Sequence, residues 1–112
     1  MNEDIQYEWL ISLRQTYLST APTKINDLER SISGLEMNHS NQSHYRRLRR
    51  LLHNLIGSGA SYGYPEVTEI ASEMHESLSA KSSDDDAMDD SILKSLRLGL
   101  DRLRRTFSDS VI

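Results

Sequence analysis

His53-Asn54-Leu55-Ile56-Gly57-Ser58-Gly59-Ala60-Ser61-Tyr62-Gly63 sets a histidine inside a strongly amphipathic segment, on a face turned away from the apolar stripe. On a helical wheel with Leu48 at zero, Leu51, Leu52, Leu55 and Gly59 fall within roughly 60° and Ile56 at about 80°. These residues form the core stripe. His53 falls at about 140°, Ala60 at about 120°, Arg46 at about 160° and Gly57 at about 180°. The imidazole therefore faces solvent, and its neighbour one turn later has no side chain to shield it. Arg46, Arg49 and Arg50 precede it by one to two turns and make that end of the face cationic. Each glycine within a helix costs about 1 kcal/mol relative to alanine. Close helix packing accounts for Gly59, on the stripe. Gly57, on the outer face, is better explained by access for another molecule.

Outward from this segment the chain reads as all-α. Glycine and proline are scarce, with 5 and 2 residues, and apolar positions recur at three- and four-residue steps. A first helix is expected from about Asp4 to Ser19, with Ile5, Trp9, Leu10, Leu13, Tyr17 and Leu18 as its stripe and Trp9 as a core or edge anchor. Pro22 is expected to break the chain and to start a second helix reaching Met37. A polar loop, 38–43, leads to Ser43 as the candidate cap of a helix from about His44 to Tyr62. Gly63 is a natural stop and Pro65 a natural restart. A further helix spans about Pro65 to Ala80, an acidic linker covers Lys81 to Asp90, and a last helix runs from about Asp89 to Phe107. Short turns between amphipathic helices favour an antiparallel four-helix bundle, with its core at about 22–107 and an additional N-terminal helix at about 4–19.

Composition bounds the function. With 112 residues the chain is expected to be one domain, 1–112. It has no cysteine, hence no disulfide or thiolate metal site, which fits a cytoplasmic protein. No long apolar run is present, so neither a signal peptide nor a membrane span is expected. The net charge of −4 argues against nucleic acid as a partner, and the arginine groups 46–50 and 97–105 read as solvated faces or docking charges. His39 and His44 read as solvated, and with His53 they do not form a zinc set. The aspartates 84–86, 89 and 90 lack the glycine and distal glutamate of a calcium loop and read as a linker and helix start. Tyr62 and Tyr64 read as closing a helix hairpin.

An exposed imidazole suits one chemistry in particular. Neutral histidine is a good nucleophile near physiological pH and could accept a phosphoryl group and pass it on. Phosphoryl transfer rests mostly on positioning and charge stabilisation, and another protein can supply both. The pattern His53-x-Leu55-x-Gly57, with Gly63 six residues later, resembles the H-x-L-K-G-x-x-x-x-x-G signature of histidine phosphotransfer (HPt) domains. The resemblance extends through Tyr64-Pro65-Glu66 and the Val67-to-Ala71 stripe, and covers about Tyr7 to Phe107.

The resemblance implies a helical bundle whose exposed histidine shuttles phosphate between receiver-domain aspartates of a hybrid sensor kinase or response regulator. It implies a phosphocarrier without an ATP site or cofactor of its own, the magnesium belonging to the receiver. A monomer is expected. Carried over, His53 is the phospho-acceptor, Gly57 the small position that admits the receiver, and Ser58 a small polar neighbour. The chain departs from the signature in one place: Ile56 stands where the lysine is expected. Any contribution of that lysine to phosphate binding is then lost, or is supplied by Arg49, Arg50 or His75. His75 matches a position on the next helix where some members carry a glutamine that hydrogen-bonds the histidine. The text around Leu55 to Pro65 is also similar to HPt domains at the front of multidomain response regulators, some ending in diguanylate cyclases. The alternative function is a docking module that binds receivers without transfer.

Overall fold

The computed structural model describes residues 3–80 and 87–109. Four helices follow in order: α1 (Glu3–Met37), α2 (Gln42–Gly59), α3 (Pro65–Ser79) and α4 (Asp90–Asp109), with a short 3-10 turn at Ala60–Tyr62. Each helix packs on its neighbours in sequence, and α4 closes back onto α1, while the backbones of the diagonal pairs α1–α3 and α2–α4 stay more than 8 Å apart between Cα atoms. Side-chain pairs fix the directions. Tyr17 meets Ser58 while Asp27 meets Arg47, so α1 and α2 run antiparallel. Arg97 bonds Glu36 while Phe107 packs on Tyr17, so α1 and α4 do too. The result is an up-down-up-down antiparallel bundle around Leu28, Ile32, Leu48, Leu52, Val67, Leu78, Leu96 and Leu103, all fully buried.

Pro22 does not break the chain as expected. α1 is one helix of 35 residues with Pro22 inside it, and the expected additional N-terminal helix is its first half. The buried positions Tyr17, Ala21, Leu28, Ile32 and Leu35 stay in phase across the proline, so a break would throw one half of the stripe off the core. Pro22 itself is exposed, where the carbonyl it leaves unbonded can turn to water. Around it the hydroxyls of Thr16, Ser19 and Thr20 bond carbonyls of the preceding turn.

Length explains a second difference. The molecule extends 54 Å along its long axis and about 20 Å across, and α1 is far longer than its partners. Its first turns outrun the bundle, leaving Trp9 67% and Tyr7 66% exposed; Trp9 is not a core anchor. At the other end Asn41, not Ser43, caps α2, its side chain accepting from the His44 N–H at 3.0 Å. His44 is half-buried rather than free in solvent: its ring lies where a Cβ on Gly34 would fall. His39 is half-exposed, 3.9 Å from the Asp90 carboxylate. Asp89 accepts from the Ile92 N–H and caps α4. The aspartates 84–86 lie outside the described residues.

The face between α1 and α4 is held by charge, and Arg97 is no simple solvated group. It bonds Glu29, Glu36 and Ser33, and Arg104 bonds Glu29 from one side. Burial alone would raise the Glu29 carboxyl, but hydrogen bonds from Arg97 and Arg104 outweigh it and hold it below the ordinary 4.5. The Arg97 hydrogen bond likewise holds Glu36 down. Carboxyls depressed on folding contribute stability that is fully present above their unfolded pKa and is lost as pH falls through the lower folded value. Urea unfolding at stepped pH should therefore show stability falling below about pH 4.5, the ordinary carboxyl value. Arg97→Met should flatten that acid limb and cost on the order of 1 kcal/mol near neutrality, since the cluster is partly solvated.

Candidate functional site

The site is built on the outer face of α2, and a close approach between α2 and α3 positions it. A Cβ on Gly59 would lie 2.6 Å from the Thr68 Oγ1 and 2.7 Å from the Thr68 backbone nitrogen. The missing side chain lets α3 come against the last turn of α2. Thr68 then bridges the junction, its hydroxyl donating to the Ile56 carbonyl at 3.0 Å and accepting from the Ala60 N–H at 2.8 Å. The turn closes with Gly63 in the left-handed region at φ 88°, its N–H reaching the Ala60 carbonyl and the Tyr64 N–H reaching the Gly59 carbonyl. Pro65 restarts the helix. Tyr62 and Tyr64 both stack on Tyr17, with ring centroids 5.0 and 5.8 Å away, so they seal the end of the bundle as expected.

With this junction fixed, His53 is exposed on α2 and forms no hydrogen bond or ion pair with any described residue. Gly57 is open in the strict sense: nothing lies within 4 Å of where its Cβ would stand. Leu52 and Leu55, on either side of His53 in the sequence, are buried and hold this stretch of helix against the core. The imidazole thus stands on a rigid element beside bare backbone.

The other candidate residues fall into three groups. Arg46 and Arg50 are exposed on the face that carries His53, whereas the Arg49 guanidinium lies over the Tyr45 ring, 5.5 Å from its centroid. Ser58 is turned from that face towards α1, sharing a 2.8 Å hydrogen bond with the Tyr17 hydroxyl. His75 lies on α3 and is half-buried. Ala60 meets Thr68 across the antiparallel α2–α3 pair, His53 lies seven residues before Ala60, and His75 lies seven after Thr68. The two imidazoles therefore share a level of the bundle about 10 Å below that contact. No hydrogen bond joins them. Ile56, at the position expected to carry a cation, packs against the core.

Sequence reasoning missed Thr68 and Tyr17. Thr68 carried one readable signal, a hydroxyl in the first turn of α3 following a stripe glycine on α2. Tyr17 meets Ser58 only through tertiary packing. Among the described residues no group of three or more His, Cys, Asp or Glu could hold a metal ion, and no helix is long and apolar enough to cross a membrane.

The two glycines should respond oppositely to the same change. Gly57→Ala should stabilise the protein by up to about 1 kcal/mol, the helix-propensity difference with no clash to offset it. Gly59→Ala should destabilise it, because the new methyl meets Thr68 backbone that cannot move without separating α2 from α3. Urea unfolding of the two variants beside the wild type checks both signs.

Among curated proteins and among solved structures, none matches the chain. The family model described as Hpt domain matches residues 12–106, which span α1 from Ser12 onward, the whole of α2 and α3, and nearly all of α4. Hpt domains are phosphocarrier modules of two-component signalling that interact with receiver domains. A four-helix bundle with an outward histidine beside an open glycine agrees with that match, and the chain belongs to the Hpt domain family.

Proposed function

We propose that His53 is the phospho-acceptor of this domain and relays a phosphoryl group to and from aspartates of response-regulator receiver domains. The observation that carries this reading is the exposed, unbonded imidazole next to a glycine on which a Cβ would meet no other side chain within 4 Å. A receiver can bring its aspartyl phosphate up to the ring only if the adjacent turn of α2 presents no side chain. The unprotonated ring nitrogen then attacks phosphorus, a P–N bond forms, and the P–O bond to the aspartate breaks. The bonding pair leaves on the aspartate carboxylate, and the second ring nitrogen keeps its proton. Transfer onward reverses these steps on a second receiver.

This chain contributes position and approach. The arginines at the start of α2 give the face a positive edge that favours an acidic partner surface. Magnesium, which offsets charge on the phosphoryl oxygens, is held by the receiver in this reading. In this reading His75, at the same level on α3, orients or polarises His53.

A second reading, a docking module without transfer, draws on Ile56, which leaves the signature position without its cation. One experiment separates them. The protein is incubated with magnesium and a receiver domain charged with labelled acetyl phosphate. Wild type should take up label and His53→Gln should not. Gly57→Leu should remain folded but transfer roughly tenfold or more slowly, a barrier change of about 1.4 kcal/mol or more. Label that never reaches the wild type while receiver binding persists favours the docking module. Label that reaches His53→Gln as fast as wild type removes His53 as acceptor.

A further inference from the structure

A groove between α1 and α2 reaches Asn54, the residue after the proposed acceptor, and is lined by Thr16, Thr20, Lys24, Asn54, Ser58 and Tyr62. Lys24 is its only cation. The Lys24 ammonium lies 3.9 Å from the centroid of the Tyr17 ring and donates to the Thr20 hydroxyl at 2.7 Å. It meets no carboxylate among the described residues, and burial pushes it below its ordinary value. A cation resting on a ring and one hydroxyl, with no counter-charge, is poised for an anion that comes from outside.

Direction matters as much as charge. Long side chains on a helix lean towards its N-terminus. Arg46, Arg49 and Arg50 lie N-terminal to His53 on α2, so they lean away from the imidazole and from Gly57. α1 runs the other way. Lys24 starts about level with Leu51 and reaches back to Thr20 and Tyr17, which brings its ammonium to the Asn54–Ser58 level where the backbone at Gly57 lies bare. Ile56, the α2 position from which a cation would lean towards His53, is apolar.

We propose that Lys24 is a docking and positioning residue for the receiver, pairing with an anionic group at the rim of the receiver's acidic site and so supplying from α1 the positive charge that α2 does not direct there. This inference rests on the reading of the His53 face as a receiver-docking surface.

The test uses the whole protein and the receiver, charged with acetyl phosphate, that transfers fastest to the wild type in a panel. Lys24→Gln should keep the wild-type urea midpoint, weaken receiver binding and slow transfer by about tenfold, the order of one charge pair at an interface. Lys24→Arg should restore most of both. The wild-type rate should also fall more steeply with salt than that of Lys24→Gln. Equal affinity, rate and salt slope for wild type and Lys24→Gln would overturn the lysine's role and leave His53 as acceptor untouched. If no receiver labels the wild type, the acceptor reading falls separately. The lysine is then judged on binding of the beryllofluoride-loaded receivers alone, where wild type no tighter than Lys24→Gln, or no binding at all, overturns it.

Discussion

The contact on which the rest of this molecule depends is the approach of α3 to the last turn of α2, where Gly59 gives up its side chain and Thr68 fills the space. One hydroxyl both donates to the Ile56 carbonyl and accepts from the Ala60 N–H, so it joins two helices at the point where backbone groups lose their helical partners. That bridge sets the antiparallel register. It places His53 and His75 on one level and keeps the Gly57 turn helical up to the edge of the bundle. A shift of one residue here would rotate His53 by about 100° on its helix, either into the α2–α3 seam or round towards α1.

The two sides of the bundle divide the labour. The α1–α4 face is tied by Arg97 and Arg104 to Glu29 and Glu36, a charge cluster with partners for each of its members. The outer face of α2, diagonal to α4, carries cations and an imidazole with few internal partners. Groups satisfied within the fold add rigidity, whereas groups left unsatisfied at the surface remain available to a second protein. Tyr17 connects the two regimes. Its ring packs on Phe107 of α4 and on both turn tyrosines, while its hydroxyl holds Ser58 and its face carries Lys24.

Most of the fold was legible because the apolar stripes of α2, α3 and α4 are clean and their boundaries carry chemical signals. Gly63 and Pro65 marked the turn, and the structure places a left-handed residue and a helix restart there. Pro22 misled because its local effect was weighed without the phase of the stripe. The steps from Tyr17 through Ala21 and Leu28 to Leu35 are those of one uninterrupted helix. Trp9 misled because sequence says that a residue is apolar but not where its neighbours end. In the candidate site, His53, Gly57 and the arginines could be read from one helix alone. Lys24 lies 29 positions before His53, and only the packing of α1 on α2 shows that its amine reaches the Asn54–Ser58 level. Gly34 was silent for the same reason, since its partner is the ring of His44 on the next helix.

The overhanging start of α1 has an optical consequence. The chain's one indole, Trp9, already stands largely in water in the native protein. Unfolding therefore changes its surroundings little, and its emission is a poor reporter of denaturation. The stacked tyrosines around Tyr17 change theirs completely. Conversely, a shift in tryptophan emission at constant tyrosine signal would register something settling on the overhang while the bundle below stays intact.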